Sequence, residues 1–104
     1  MIAKHAIVPD FHFRVLVEEL ADGSFRATCL DWDIVAEEPT EKKTLEQLYR
    51  LMDLQWRTAV EHGAPDSVWH PAPKQLWEKF YSSLKYLKPK SIPKPQKHSD
   101  VVYA

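Results

Sequence analysis

The sequence has 104 residues, of which 44% are hydrophobic, and its formal net charge is -1 at pH 7. This length suits a single domain, and the charge excludes a chain that is polycationic over its whole length. The single cysteine excludes an internal disulfide and is typical of a reducing compartment. No apolar run approaches the ~18 residues of a membrane span, and the first residues lack the apolar stretch of a signal peptide. We therefore expect a cytoplasmic protein.

A β-hairpin is the first predicted element. Apolar and polar residues alternate from Phe11 to Leu20, which indicates a strand with one face toward a core. Asp22-Gly23 favours a tight turn, and the alternation resumes from Phe25 to Leu30. Cys29 shares a side with Phe25 and is predicted to face the core, where a thiol acts as a small hydrophobic group.

A third strand and a long helix are predicted next. Asp31-Trp32-Asp33 reads as a corner, and the strand that follows ends before Pro39, because proline cannot donate to a sheet. Thr44 with Gln47 fits a capping box at the start of a helix, with Thr40 as a competing start one turn earlier. Gly63 favours a helix end nearby. The predicted buried stripe of this helix consists of Leu45, Leu48, Tyr49, Met52, Trp56, Ala59 and Val60.

The last third is predicted to hold a second helix, from Pro73 to about Leu87, and a tail. The tail, residues 88–104, carries four lysines and one aspartate, a net +3, whereas the remaining residues carry ten basic and fourteen acidic groups, a net -4. Its proline and lysine content indicates a flexible segment, although Val101-Val102-Tyr103 could instead add a strand to the sheet edge of a partner. We therefore divide the chain into an α+β domain at residues 1–87 and a basic flexible tail at residues 88–104.

The order of these elements resembles the HicB-like antitoxin family over residues 11–62. The resemblance is carried by Asp22-Gly23-Ser24-Phe25-Arg26-Ala27, by Cys29-Leu30-Asp31-Trp32-Asp33-Ile34-Val35, and by a helix that opens Thr44-Leu45-Glu46-Gln47-Leu48. It implies a partial ribonuclease-H-like fold, in which a three-stranded antiparallel meander packs against one long helix, with helices on one side of the sheet. Here a C-terminal helix and an extended tail are added.

The same resemblance implies a function in a toxin–antitoxin system. Proteins of this family hold a small ribonuclease toxin, HicA, inactive by direct binding, and many carry a C-terminal module that binds DNA. The C-terminal third of this chain offers one helix, where a helix-turn-helix needs two. We therefore expect a protein-binding role with no enzymatic activity, no cofactor and no metal.

Candidate partner-binding residues are tryptophans in or beside connections, since exposed tryptophan often anchors an interface. They are Trp32, Trp69 and Trp77, although Trp69 and Trp77 could instead only seal the second helix onto the sheet. Exposed sheet edges also predict a homodimer or a higher oligomer.

Two other functions stay open at the level of sequence. Lys88, Lys90, Lys94 and Lys97 could bind nucleic acid through phosphates, although a solvated terminus is the simpler interpretation. Asp31 and Asp33, with Glu18 or Glu19, could serve a metal-dependent nuclease. The simpler interpretation of the two aspartates is a solvated turn.

Overall fold

The computed structural model describes residues 12–86 and 99–104. Four strands, two α-helices and one short 3-10 helix follow in the order β1 (Phe13–Glu19), β2 (Phe25–Cys29), β3 (Ile34–Glu38), α1 (Glu41–Glu61), the 3-10 helix (Pro65–Val68), α2 (Lys74–Tyr86) and β4 (Ser99–Tyr103). Within these residues, neither helix is both long enough and apolar enough to cross a membrane.

The strands form one sheet in the order β3-β2-β1-β4. β1 and β2 are antiparallel, as are β2 and β3, with Ala27 opposite both Val17 and Ala36. β4 adds to the other side of β1 and runs parallel to it, with Val101 opposite Val15. The predicted α+β fold with a three-stranded antiparallel meander is confirmed. The sheet also gains a fourth strand, because Val101–Tyr103 pair with β1 of the same chain and not with the sheet of a partner.

This fourth strand changes the interpretation of the predicted flexible tail. Residues 99–103 form β4, while residues 88–98 lie outside the described residues. Val101 and Val102 are 6% and 1% exposed, so both belong to the core. Burial, together with a hydrogen bond to Glu41, raises the pKa of Tyr103, which places its hydroxyl beside the start of α1. The end of the chain is therefore part of the folded domain.

The turn between β1 and β2 forms at Asp22-Gly23, as predicted. Gly23 has a φ of +89°, which glycine adopts without strain. The Leu20 N–H donates to the Ser24 carbonyl at 2.8 Å. The Asp22 carboxylate accepts hydrogen bonds from the Ser24 backbone N–H and the Ser24 hydroxyl, and these bonds lower the pKa of Asp22. The turn fixes the register of β1 against β2.

The two helices lie on opposite faces of the sheet. Val15 and Val17 pack with Leu48 and Met52 of α1, whereas Leu16, between them, packs with Phe80 of α2. Neighbouring residues of a strand point to opposite faces. The expectation of helices on one side is therefore wrong, and the reason is that Leu16, Leu30 and Val102 give the second face its own apolar surface.

Helix α1 begins at the earlier of the two predicted positions. Thr40 is the N-cap, and its hydroxyl accepts a hydrogen bond from the Lys43 N–H at 3.2 Å. Thr44 is buried instead and donates to the Thr40 carbonyl at 2.7 Å. The helix ends where it was predicted to end, at His62, and Gly63 follows with a φ of +68°. Helix α2 begins one residue after Pro73.

Candidate binding surface

Three tryptophans and a phenylalanine meet at one end of the sheet. Trp32 lies edge-on to Phe13, with ring centroids 4.9 Å apart, and edge-on to Trp69 at 5.7 Å. Trp56 of α1 stacks on Trp32 at 6.3 Å. We call Trp32, Trp56 and Trp69 the tryptophan cluster. Trp32 is 3% exposed and Trp69 is 44% exposed, so the cluster runs from the core to the surface.

The inner member of the cluster is held by the corner after β2. The Asp33 N–H donates to the Cys29 carbonyl at 2.8 Å, which closes the turn around Trp32. Asp33 has a φ of 55°, in the left-handed region that aspartate tolerates better than most residues. Trp32 was predicted to contact a partner, but it is buried, so it can act only by supporting its neighbours.

The outer member, Trp69, is held by the backbone on both sides. Its own N–H donates to the Asp66 carbonyl at 3.2 Å, at the end of the 3-10 helix. The following residues are tied to the end of β2, because the His70 N–H donates to Asp31 and the Ala72 N–H donates to Leu30. Trp69 is therefore an exposed aromatic side chain on a fixed section of chain.

Val60 extends the apolar surface next to the cluster. It lies one helical turn after Trp56, on the same side of α1, and is 48% exposed. The helical spacing predicts that Val60 is buried. That prediction is wrong because Val60 lies about 100° around the helix from the buried Ala59. The helical periodicity alone did not show where the buried stripe stops.

Carboxylates border this apolar surface. Asp33 follows Trp32, Glu61 follows Val60, and Asp66 precedes Trp69 by three positions. All three are exposed, and none forms an ion pair with another described residue. No spacing in the sequence indicates this border, because each carboxylate is placed by an apolar neighbour and only the fold brings those neighbours to one surface.

Trp77, the third predicted anchor, packs on the opposite face of the sheet. Its Nε1–H donates to the Ala72 carbonyl at 3.1 Å, and its ring lies 5.8 Å from the guanidinium carbon of Arg14. The ring also packs against the core under α2 and stacks on Tyr81 at 6.3 Å. Trp77 therefore seals α2 onto the sheet, the structural alternative that the sequence left open.

Asp31 is held in a partly buried ion pair with Arg14. Its carboxylate accepts from the Arg14 backbone N–H at 2.8 Å and from Nη1 at 2.7 Å, and its side chain is 9% exposed. Burial of Arg14 disfavours its charged form and by itself would lower its pKa. The negative charge and the hydrogen bond of Asp31 outweigh this effect, so the pKa of Arg14 is raised. Asp31 therefore fixes the corner to β1.

The carboxylates of the nuclease hypothesis do not come together. Asp31 points to Arg14, whereas Glu18 lies four residues further along β1, about 13 Å away, and pairs with Lys79 at 2.6 Å. Within residues 12–86 and 99–104 there is no group of three or more His, Cys, Asp or Glu side chains arranged to hold a metal ion. His12 pairs with the Asp100 carboxylate at 2.8 Å.

Cys29 faces the core, as predicted. Its side chain is fully buried, and burial raises the pKa of its thiol to about 12. A neutral, buried thiol is a poor nucleophile at physiological pH. The lysines predicted to contact nucleic acid, Lys88, Lys90, Lys94 and Lys97, all lie outside the described residues.

No family model, curated protein or solved structure matches the chain.

Proposed function

We propose that this protein is a HicB-like antitoxin, which inactivates a small ribonuclease toxin by direct contact through the surface around Trp69. The proposal rests on the resemblance of residues 11–62 to that family and on the surface itself. In the fold, the elements follow one another in the same order as in the resemblance: strand, Asp-Gly turn, strand, corner, strand and capped helix.

The half-exposed Trp69 is the observation that carries the proposal. A tryptophan that a partner covers contributes more binding free energy than most residues, because it buries a large apolar area. Trp69 leans on the buried Trp32, and the backbone on both sides is hydrogen-bonded. Little conformational entropy is therefore lost when a partner covers this side chain.

The bordering carboxylates favour a basic partner. Asp33, Glu61 and Asp66 place negative charge around the apolar centre, while the nearby Arg57 is neutralised by Asp53 at 2.8 Å. Lysine or arginine side chains of a partner would gain ion pairs at the border and could stack on the face of Trp69. A ribonuclease needs basic groups to bind RNA phosphates, so a partner held in this way would lose its contacts to RNA.

The experiment that tests this proposal compares Trp69→Ala with the wild type. The probe is a purified HicA-type ribonuclease, and the measurements are calorimetric affinity and inhibition of RNA cleavage. We expect Trp69→Ala to weaken binding by about 30-fold, which corresponds to a hot-spot residue. Tyr81→Ala is the matched control, because Tyr81 is 50% exposed on the opposite face and should leave the affinity unchanged.

Equal affinity for the wild type and Trp69→Ala would reject this surface, and no inhibition by the wild type would reject the antitoxin proposal. Retention of nucleic acid alone from a lysate would favour the alternative function, a regulator that binds nucleic acid through the lysines of the basic tail. Removal of residues 88–104 is not a clean test of that hypothesis, because it also removes β4. The suitable variant replaces Lys88, Lys90, Lys94 and Lys97 with glutamine.

A further inference from the structure

β3 forms one edge of the sheet, and no described strand pairs with its outer side. Its five residues keep an unbroken register with β2, from Phe25 opposite Glu38 to Cys29 opposite Ile34. The strand contains no proline, no lysine and no bulge, three features that commonly prevent an edge from pairing with another strand, and the charge of Glu37 is met by Arg26 at 2.8 Å. Backbone donors and acceptors on this edge are thus available to a second strand.

The sequence of β3 is self-complementary in one antiparallel register. A twofold axis perpendicular to the sheet leaves the α1 helices of both copies on the same face of the joined sheet. Each residue of β3 then pairs only with a residue of the second copy whose side chain points to the same face. An axis at Ala36 pairs all five strand residues and places Val35 opposite Glu37 of the second copy. An axis at Glu37 would oppose two like charges, which is destabilising, and an axis at Val35 would place Glu37 and Glu38 beyond the end of the partner's strand. The register centred on Ala36 is therefore favoured.

The position of α1 is compatible with this pairing. The helix packs on β2 and β3, so its axis lies roughly above the line midway between them. Strands are spaced about 4.8 Å apart, so this line is about 5 Å from a twofold axis at the outer side of β3. The two α1 axes would be about 10 Å apart, which is a normal distance for packed helices.

The flank of α1 beside β3 carries side chains suited to such a contact. Lys43, Gln47 and Arg50 line a cleft of about 290 Å³ together with Glu38 and Glu46. Leu54 continues the same flank by helical spacing and is 53% exposed.

Charge on this flank is complementary to itself. The Thr44 hydroxyl, which donates to the Thr40 carbonyl, also lies 3.4 Å from the Glu38 carbonyl, and this contact aligns the helix with the strand. The twofold axis passes through Ala36, which is two residues, about 7 Å, from Glu38 along β3. Thr44 lies beside Glu38, and α1 rises 1.5 Å per residue, so the axis crosses the helix roughly five residues past Thr44. Residues on either side of that point face each other across the axis, so Arg50 lies opposite Glu46 and Gln47 of the second copy.

We propose that a second copy of this chain binds at the β3 edge, so that two sheets join into one of eight strands and the α1 helices pack across the twofold axis. The occupant is a second copy because the register, the helix separation and the charges each match themselves under one axis. This surface is separate from the one around Trp69, so the dimer would leave Trp69 accessible on both copies.

Sedimentation of the full chain tests the dimer, with an expected mass of twice 12.1 kDa at tens of micromolar. Glu46→Arg places two arginines opposite each other, so we expect at least a tenfold higher dissociation constant. Adding Arg50→Glu to that variant restores opposite charges and should restore the dimer. Glu78→Arg on α2 is the matched control and should leave the mass unchanged. A monomeric wild type, or a dimer insensitive to Glu46→Arg, would overturn the proposal.

A crosslinking experiment tests the register separately. With Val35→Cys and Glu37→Cys in one chain, each new thiol faces the other across the axis, within reach of a disulfide. We expect a covalent dimer under mild oxidation, while the native Cys29 stays unreactive because it is buried. Failure of this double variant to crosslink would reject the register centred on Ala36.

Discussion

Replacing Val102 with alanine tests whether the end of the chain is core or tail. Val102 is 1% exposed and packs with Leu16 and Phe80, between the sheet and α2. The change removes two buried methyl groups, worth about 0.8 kcal/mol each by transfer, and leaves a small cavity that adds to the cost. We expect the free energy of unfolding to fall by about 2 kcal/mol, which lowers the melting temperature of a domain this size by roughly 8–16 °C.

Urea unfolding followed by tryptophan fluorescence measures this change. An unaltered m-value would show that the substitution does not change the compactness of the folded or the unfolded state. Val35→Ala is the control, measured at concentrations low enough for the monomer, because Val35 is on a strand and on the same face of the sheet but is 44% exposed in one copy; it should cost about 0.5 kcal/mol or less. If Val102→Ala costs no more than Val35→Ala, β4 does not pack as described, and residues 99–103 belong to a tail.

Two further predictions concern the corner and the thiol. Asp31→Ala removes the partner of both the Arg14 backbone N–H and its guanidinium, so it should lower the free energy of unfolding by about 2–4 kcal/mol. The exposed Asp33→Asn should change it by less than 0.5 kcal/mol, and equal costs would contradict the role of the ion pair. The thiol of Cys29 should resist a disulfide exchange reagent at pH 8 in the native protein and react after unfolding. Because its pKa is raised from 9.0 to about 12, its contribution to stability is complete below pH 9 and is lost as the pH rises toward 12; rapid labelling of the native protein would contradict its burial.

The elements that the sequence predicted are those with local signals. Alternation indicated β1 and β2, Asp22-Gly23 indicated the turn between them, and Gly63 indicated the end of α1. The start of α1 was predicted at Thr44, one turn late, with Thr40 as the alternative. The pairing of β4 was missed because its five residues were assigned to the tail, and the strand that they pair with, β1, lies about 85 positions away in the sequence. A strand that pairs only with a distant strand carries no local sign of its partner.

The candidate surface was predicted only in part, for a related reason. Trp69 was selected from its residue type, and the structure exposes it. Trp32 was selected for the same reason, yet it is buried, because the corner after β2 places its ring against Trp69 on the inner side. Asp33 lies in the corner after β2, Glu61 ends α1 and Asp66 lies in the 3-10 helix, so no spacing in the sequence predicts that they border one surface.

The parallel pairing of β4 with β1 also bears on the kinetics of folding. The hairpin of β1 and β2 closes a loop of a few residues, whereas pairing of β1 with β4 orders a loop of about 85 residues, at a larger entropic cost. We infer that the hairpin and α1 form before the folding barrier and that β4 docks after it. Destabilising substitutions in β4 would then accelerate unfolding and leave the refolding rate almost unchanged, so the lifetime of the native state, more than its rate of formation, would depend on the last strand.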